Sequence, residues 1–493
     1  MSPKRLRRQQ FRFFIFFSSL ALVGFAAATL GCGSGSMTSL STAPALSGNT
    51  MVTVQLSSTG NDQLSQYNIG LSSLALTSQS GKSVSLFSTI TSPTPPLGEF
   101  MHLNGPVEPL LTATVPQDVY TTATATLSGA GGFACVSQIP GAVQTSFFGP
   151  PQSVTITLPS PITVTGTAMA LSLDLQVSQS ATFSSCNLQG ATYTNTPTFT
   201  LVPVVLSSQP TNVENGKQNG IEGLVASVTS SGSGFTMVTP DGIRLSVTTG
   251  GSTVYQGVSG QSALVAGMPI EMDTAIQGDG SLLATRVEVE DTNTNTVSVM
   301  TGPLLIVADS QPTFTMLARQ QQGYLFAGVV SGPADFSFSN ATFKISGQFA
   351  NLQNLPFPAT FTGATMFDGQ NVYVSSHATT ISGGPTYVPL STITLMPQTI
   401  NGTVSAVGSD GAFTTYTVTL ASYDLIPNLA VQPGQTTVLT DPSNVVVYVD
   451  SNTQTLNSTP LAAGSLLRFN GLLFNDNGTL RMDCGQVNDG VAE

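Results

Sequence analysis

Beyond about residue 49 the chain alternates apolar and polar positions in short runs. Val52-Thr-Val54-Gln-Leu56, Val154-Thr-Ile156-Thr-Leu158 and Leu171-Ser-Leu173-Asp-Leu175-Gln-Val177 all repeat with a period of two. Successive side chains of an extended chain point to opposite faces, so this period marks strands with one buried face. Turn-forming clusters such as Gln79-Ser-Gly81 and Ser92-Pro-Thr-Pro-Pro96 separate the runs. Past the N-terminal segment no apolar stripe of helical spacing runs long enough to make a helix. Many short strands punctuated by Gly and Pro predict an all-β fold of sandwich or barrel type.

A polar, turn-rich stretch at 207–220 reads as a linker and ends a first domain at 50–206, expected to be a β-sandwich. Beyond it the chain repeats itself. Ile221-Glu-Gly223-Leu-Val225 returns as Ile400-Asn-Gly402-Thr-Val404, and Leu264-Val-Ala-Gly267 returns as Leu461-Ala-Ala-Gly464. The same interval separates Gly267 from Asp279 and Gly464 from Asp476, each aspartate opening a hairpin turn, Asp279-Gly280 or Asn477-Gly478. A glycine in the first strand allows a sharp bend, and an Asp-Gly or Asn-Gly hairpin leads to a closing strand. Small barrels are predicted at 221–292 and 398–493, with a degenerate copy at 297–390. That copy opens with Val297-Ser-Val299-Met-Thr-Gly302 and uses Asp368-Gly369 as its hairpin before a strand ending at Val374. The expectation is an N-terminal β-sandwich followed by two or three tandem β-barrel modules.

The N-terminus carries compartment information. Lys4, Arg5, Arg7, Arg8 and Arg12 form a basic head, and Phe13 to Ala28 an uncharged apolar core, as in a secretory signal. The alternative is an uncleaved N-terminal anchor. Ala28-Thr29-Leu30-Gly31-Cys32 resembles a bacterial lipobox, although Thr29 stands where leucine is usual and Leu30 where a small residue is usual. The resemblance implies removal of residues 1–31, lipid on Cys32, and a lipid-anchored location in the cell envelope. Position 33 is not Asp, which favours the outer membrane. Residues 32–49, with Gly33-Ser34-Gly35-Ser36, read as a flexible tether.

Removing residues 1–31 leaves 8 basic against 25 acidic side chains, a formal charge of −17. A chain so acidic, with no basic patch, is repelled by nucleic acid, which is excluded as a partner. Charged residues make up 8 % of the sequence, against about 25 % in ordinary globular domains. Hydroxyl and amide side chains supply the polar surface instead. Of the four cysteines, Cys135 and Cys186 share the first domain, and export would let them form a disulfide. Two buried thiols are the alternative. Cys484 reads as a small buried hydrophobe.

Residues 52–127 resemble an uncharacterised lipoprotein domain of Gram-negative bacteria. The stretches that carry the likeness are Val52-Thr-Val-Gln-Leu56, Ile69-Gly-Leu-Ser-Ser-Leu-Ala-Leu76, Met101-His-Leu-Asn-Gly105, Pro109-Leu-Leu111 and Val115-Pro-Gln-Asp-Val-Tyr120. The family has a glycine before that tyrosine, where this chain has Val119. Residues 221–290 resemble a second uncharacterised family, a small OB-like barrel that occurs in tandem. Both resemblances imply architecture and compartment and carry no activity.

Catalytic material is sparse. Only His102 and His377 exist, in different expected domains, and no Gly-x-Ser-x-Gly, His-Glu-x-x-His or Walker-type motif is present. Alternation in Met101-His-Leu103 turns His102 away from the apolar face, which reads as a solvated or hydrogen-bonded strand histidine. Glu271 with Asp273, and Glu288 with Glu290, have the spacing of paired glycosidase carboxylates. Both pairs fall where barrel strands show their polar face, so they read as solvated surface. Calcium is the ion suited to Asp279, Glu288, Glu290 and Asp291, but no calcium-loop motif accompanies them. No catalytic, cofactor or metal residues are therefore assigned. The chain is expected to be a non-enzymatic binding, adhesion or structural component with an envelope protein or polysaccharide as partner, the alternative being a polysaccharide-binding or carbohydrate-active subunit. The absence of tryptophan speaks against the usual sugar-stacking platform.

Overall fold

The computed structural model describes residues 46–491 except 61–63, 89–96, 106, 136–143, 149–151, 178–184, 188–189, 193–200, 207–219, 278, 309–310, 325–331, 350–351, 380–386 and 431–437. The proposed signal, Cys32 and most of the tether thus lie outside the described residues.

Twelve strands form the first domain: β1 (Asn49–Thr59), β2 (Leu64–Ser78), β3 (Ser83–Ser88), β4 (Leu97–Glu99), β5 (Glu108–Pro116), β6 (Asp118–Cys135), β7 (Gln144–Phe148), β8 (Gln152–Val164), β9 (Ala168–Gln176), β10 (Ser185–Asn187), β11 (Gly190–Thr192) and β12 (Leu201–Leu206). One sheet runs β12-β9-β1-β5; a second runs β3-β2-β6-β7, with β4 on β2 and β8 on β6; β10 and β11 pair separately. Val52 and Val54 of β1, Leu171 and Leu175 of β9, Leu74 and Leu76 of β2 and Ala123 and Ala125 of β6 share one core. The period-two pattern therefore does what it predicts, and the two sheets bury their apolar faces in a common core. The β1 residues Thr53 and Gln55, on the other face, are buried as well. The hydroxyl of Thr112 on the neighbouring β5 donates to Gly280 O at 3.0 Å, which shows what covers that face.

The next six strands are β13 (Ile221–Val228), β14 (Gly234–Val238), β15 (Arg244–Thr248), β16 (Val254–Gln256), β17 (Pro269–Ile276) and β18 (Leu282–Val289). A middle set follows: β19 (Ser298–Val307), β20 (Thr313–Ala318), β21 (Gln320–Gly323), β22 (Gly332–Ser337), β23 (Thr342–Ile345), β24 (Asn371–Ser376), β25 (Val388–Pro389) and β26 (Thr392–Leu395). The last set is β27 (Gln398–Asp410), β28 (Phe413–Leu420), helix α1 (Leu425–Ala430), β29 (Asn444–Val449), β30 (Gln454–Thr455), β31 (Leu466–Asp476) and β32 (Thr479–Asp489).

The outer two sets have the same topology. Their orders are β15-β14-β13-β17-β18-β16 and β29-β28-β27-β31-β32-β30, closed by parallel β15–β18 and β29–β32 pairings. The middle set repeats it: β22-β20-β19-β24-β26-β23, closed by the parallel pairing of β22 with β25. The backbone repeats in detail. A Cβ on Gly223, Gly302 or Gly402 would lie 2.5, 1.8 or 2.3 Å from a carbonyl oxygen of the next strand, so each first strand needs glycine at its closest approach. A bulge follows in each, at Val225/Ser227, Leu304/Ile306 and Val404/Ala406. Then Gly267, Gly369 and Gly464, with φ of 91, 92 and 87°, donate to the carbonyls of Val225, Leu304 and Val404, each at 2.7 Å.

That last feature corrects the middle copy. Asp368-Gly369 is the entry to β24 and corresponds to Gly267, whereas the sequence reading makes it the hairpin corresponding to Asp279-Gly280. The closing strand is β25–β26, so the module runs past residue 390 to Leu395. The misalignment arises because a positive-φ glycine is needed at both places and Asp-Gly satisfies either.

Candidate functional site

Strand registers identify equivalent positions on the outward face of each barrel. Beside the first-strand glycine stand Glu222, Thr301 and Asn401, opposite Glu271, Tyr373 and Arg468. Those pair in turn with Glu288, Thr394 and Asn488. Two residues further along, Asp273 faces Arg286, Ser375 faces Thr392, and Asn470 faces Gln486. One face of one fold is thus ionic in the first module, hydroxyl-bearing in the second, and amide-rich with one arginine in the third.

None of the three faces is simply open to water. The third packs on the sandwich: Arg468 Nη1 donates to Asn104 Oδ1 at 2.8 Å, and the Thr399 hydroxyl donates to Asn104 O. The first and second face each other. Thr301 donates its hydroxyl to Glu222, Thr394 to Glu290 Oε2 at 2.9 Å, and Ser375 to Asp291 Oδ2 at 2.7 Å.

At the centre of the first face Arg286, 1 % exposed, is surrounded by carboxylates. Its Nε reaches Asp273 Oδ2 at 2.8 Å, Nη1 reaches Glu288 Oε2 at 2.7 Å and Nη2 reaches Glu271 Oε1 at 2.5 Å. Burial alone would lower the guanidinium pKa; the charges of Asp273, Glu271 and Glu288 hold it above the usual arginine value. The linker end and the middle module complete the cage. Gly220 N and Gly347 N donate to Asp273 and Glu288 at 2.9 Å, the former from the linker end and the latter from the loop after β23. Burial raises the carboxyl of Glu290, and the nearby charges of Glu288 and Glu271 raise it further. Burial also pushes Glu222 up to about 8 despite the Thr301 hydrogen bond.

Beside this cluster a cavity of about 90 Å³ lies where all four domains meet. Amides of Asn104, Gln320, Gln348, Asn371, Gln398 and Asn470 line it, with His102, Glu108, Glu222 and Arg319. Such a lining presents both donors and acceptors and is large enough for several waters or a small polar group.

The sequence-derived candidates fall as follows. Cys32 lies outside the described residues. Cys135 and Cys186 are on β6 and β10, but their side chains lie outside the described residues too. Cys484 is buried, as expected, and its thiol donates to Gln486 O at 3.3 Å. His102 does turn away from the core that takes Met101 and Leu103, yet it sits in a turn and not a strand, and it is not solvated. Its Nε2 is 3.2 Å from Glu108 Oε1 and 3.0 Å from Gln320 Nε2, and Asp241 lies in the same group with ligand atoms within 4.8 Å. His377 pairs separately with Asp291 at 2.8 Å.

The carboxylate pairs require a correction. Glu271, Asp273, Glu288 and Glu290 are all buried, not solvated. They do point outward from their barrel, but another module covers them. Arg286 locks three of them, so they do not stand as a free acid and base. Asp279 is exposed in its hairpin, hydrogen-bonded to Ser281, at the opposite end of β18 from Glu290, so the four-residue calcium set is not assembled. Arg286 is not among the sequence-derived candidates although the sequence carries a signal for it: Arg286, Glu288 and Glu290 recur at a spacing of two, which places opposite charges on one face. The pocket amides had no such signal, since they come from four domains. No protein-family model matches the chain, and no curated protein matches it.

Proposed function

We propose that the chain is a lipid-anchored component of the bacterial cell envelope that acts by binding or by structural support and not by catalysis. The observation that carries this reading is the amide-lined pocket at the meeting of the four domains. Neutral donors and acceptors hold a polar partner without performing chemistry on it. The ionisable groups nearby are committed to fixed partners: Arg286 to three carboxylates, and Glu222 to Thr301. The anchor rests on the N-terminal sequence. Cys32→Ser should move the protein from the membrane to the soluble fraction; unchanged fractionation would remove the anchor.

A second reading, a polysaccharide-binding subunit, draws support from the same amides, which suit sugar hydroxyls. Against it, six of the ten tyrosines are buried and so offer no stacking platform. Calorimetry of the purified chain with a panel of neutral envelope polysaccharides separates the readings, Gln320→Ala with Asn371→Ala serving as the pocket variant. Hydrolysis of a glycan or ester that His102→Ala abolishes would overturn the non-catalytic reading.

A further inference from the structure

We propose that Glu271, Glu288 and Glu290 bind one calcium ion at the junction of the first and second barrel modules. Three observations on the geometry support it. First, each of these carboxylates offers an oxygen, and the three oxygens lie within 4.8 Å of one another. Oxygens on a common calcium, at about 2.3–2.6 Å from it, can be no further apart than roughly twice that distance. A magnesium shell, at about 2.0–2.1 Å, is tighter and keeps most of its waters.

Second, the charges do not balance within the protein. Glu271, Asp273, Glu288 and Glu290 are four buried carboxylates, against Arg286 and against Lys344, whose Nζ is 3.8 Å from Glu290 Oε2. With all four ionised, two negative charges would remain, and burying an uncompensated charge is costly. One divalent cation restores neutrality.

Third, two buried polar atoms beside the cluster have no hydrogen-bond partner. Glu290 is 1 % exposed, and its Oε2 takes the Thr394 hydroxyl while its Oε1 takes nothing. Tyr373, 2 % exposed, leaves its hydroxyl unpaired within the electrostatic reach of Glu222, Glu290, Asp291 and Glu271. Buried oxygens without a donor are what a bound cation uses. The neighbouring Ser346 hydroxyl, 3.3 Å from Glu271 Oε2, is a further oxygen from the second module. The ion would thereby fasten one module to the next. Lys344, about a third exposed, marks the edge from which it would enter. The inference is independent of what the amide pocket binds.

The test uses the purified chain after exhaustive dialysis against EDTA and return to metal-free buffer at neutral pH. Calcium chloride titrated into it should bind with a stoichiometry of one by calorimetry and raise the midpoint of thermal unfolding; magnesium at equal concentration should do far less. Glu290→Gln should weaken calcium binding at least about tenfold with unchanged circular dichroism, and Asp279→Asn, in the exposed hairpin, should leave it unchanged. Absence of calcium uptake by the unmutated chain, with an unfolding midpoint indifferent to EDTA, overturns the proposal and assigns the missing charge to protons. Stoichiometric binding that survives Glu290→Gln but is lost in Asp241→Asn places the ion at the His102 group and also overturns it.

Discussion

The first and third barrel modules share strand order, bulge positions and glycine positions, yet the polar face that each turns outward is differently made. In the first, this face carries Glu222, Glu271, Asp273, Glu288 and Arg286; in the third the same places hold Asn401, Arg468, Asn470, Asn488 and Gln486. The backbone tolerates either set because these side chains lie outside the barrel core. What differs is the surface each meets. The ionic face meets hydroxyls and backbone amides of the second module, while the amide face meets the sandwich through Asn104. A barrel of this kind is thus a fixed frame with an exchangeable docking face.

The largest expected effect tests whether the ionic face depends on its arginine. Arg286→Ala leaves three buried carboxylates without their cation and should cost about 3–5 kcal/mol in urea unfolding. Arg468→Ala in the third module loses bonds to neutral acceptors and should cost about 2 kcal/mol. Equal losses would show that the two faces are energetically alike.

The shared frame can be broken at the first-strand glycines. Alanine at Gly302, Gly402 or Gly223 would place a Cβ at 1.8, 2.3 or 2.5 Å from a carbonyl oxygen. Each should destabilise by about 1–3 kcal/mol, Gly302→Ala most, as read from denaturant midpoints. A neutral substitution at any one would mean that its strand does not approach as the others do.

A finer test uses the positive-φ glycines. At Gly464 a Cβ meets nothing, so alanine there should cost only the conformational strain, about 1 kcal/mol. At Gly267 a Cβ meets Thr294 O at 2.8 Å, and at Gly369 it meets Ile426 at 2.8 Å, so both should cost more. Thermal unfolding of the three variants would rank them.

The smallest effect is expected at Cys484. It pairs with Gly471 where the first module pairs Ala284 with Thr274, a large-for-small exchange across one strand pair. Cys484→Ala should cost about 1 kcal/mol, and labelling with a thiol reagent should be slow in the folded chain because the side chain is fully buried.

Much of this architecture was legible in the linear pattern, because the forces behind it are local. Alternation in Val52-Thr-Val54 and Leu171-Ser-Leu173 set strands with one apolar face. Gly223 with Gly402, and Gly267 with Gly464, marked the outer repeats, because backbone approach and positive φ exclude other residues whatever surrounds them. The middle module was harder to read, since Asp368-Gly369 fits two structural places.

The candidate site was not legible in that way. Sequence alone determined that Glu271, Asp273, Glu288 and Glu290 turn away from their barrel core, and the structure keeps them there. Whether an outward face meets water or another protein surface is a matter of packing between modules. Tertiary structure alone decided that Ser346, Gly347 and Thr394 close over them, burying four carboxylates, three of them paired with one arginine. It likewise drew Asn104, Gln320, Asn371 and Gln398 into a single pocket. Local periodicity reports which way a side chain points, because that is fixed by its own backbone; what it then touches depends on residues tens to hundreds of positions away, and no local pattern encodes them.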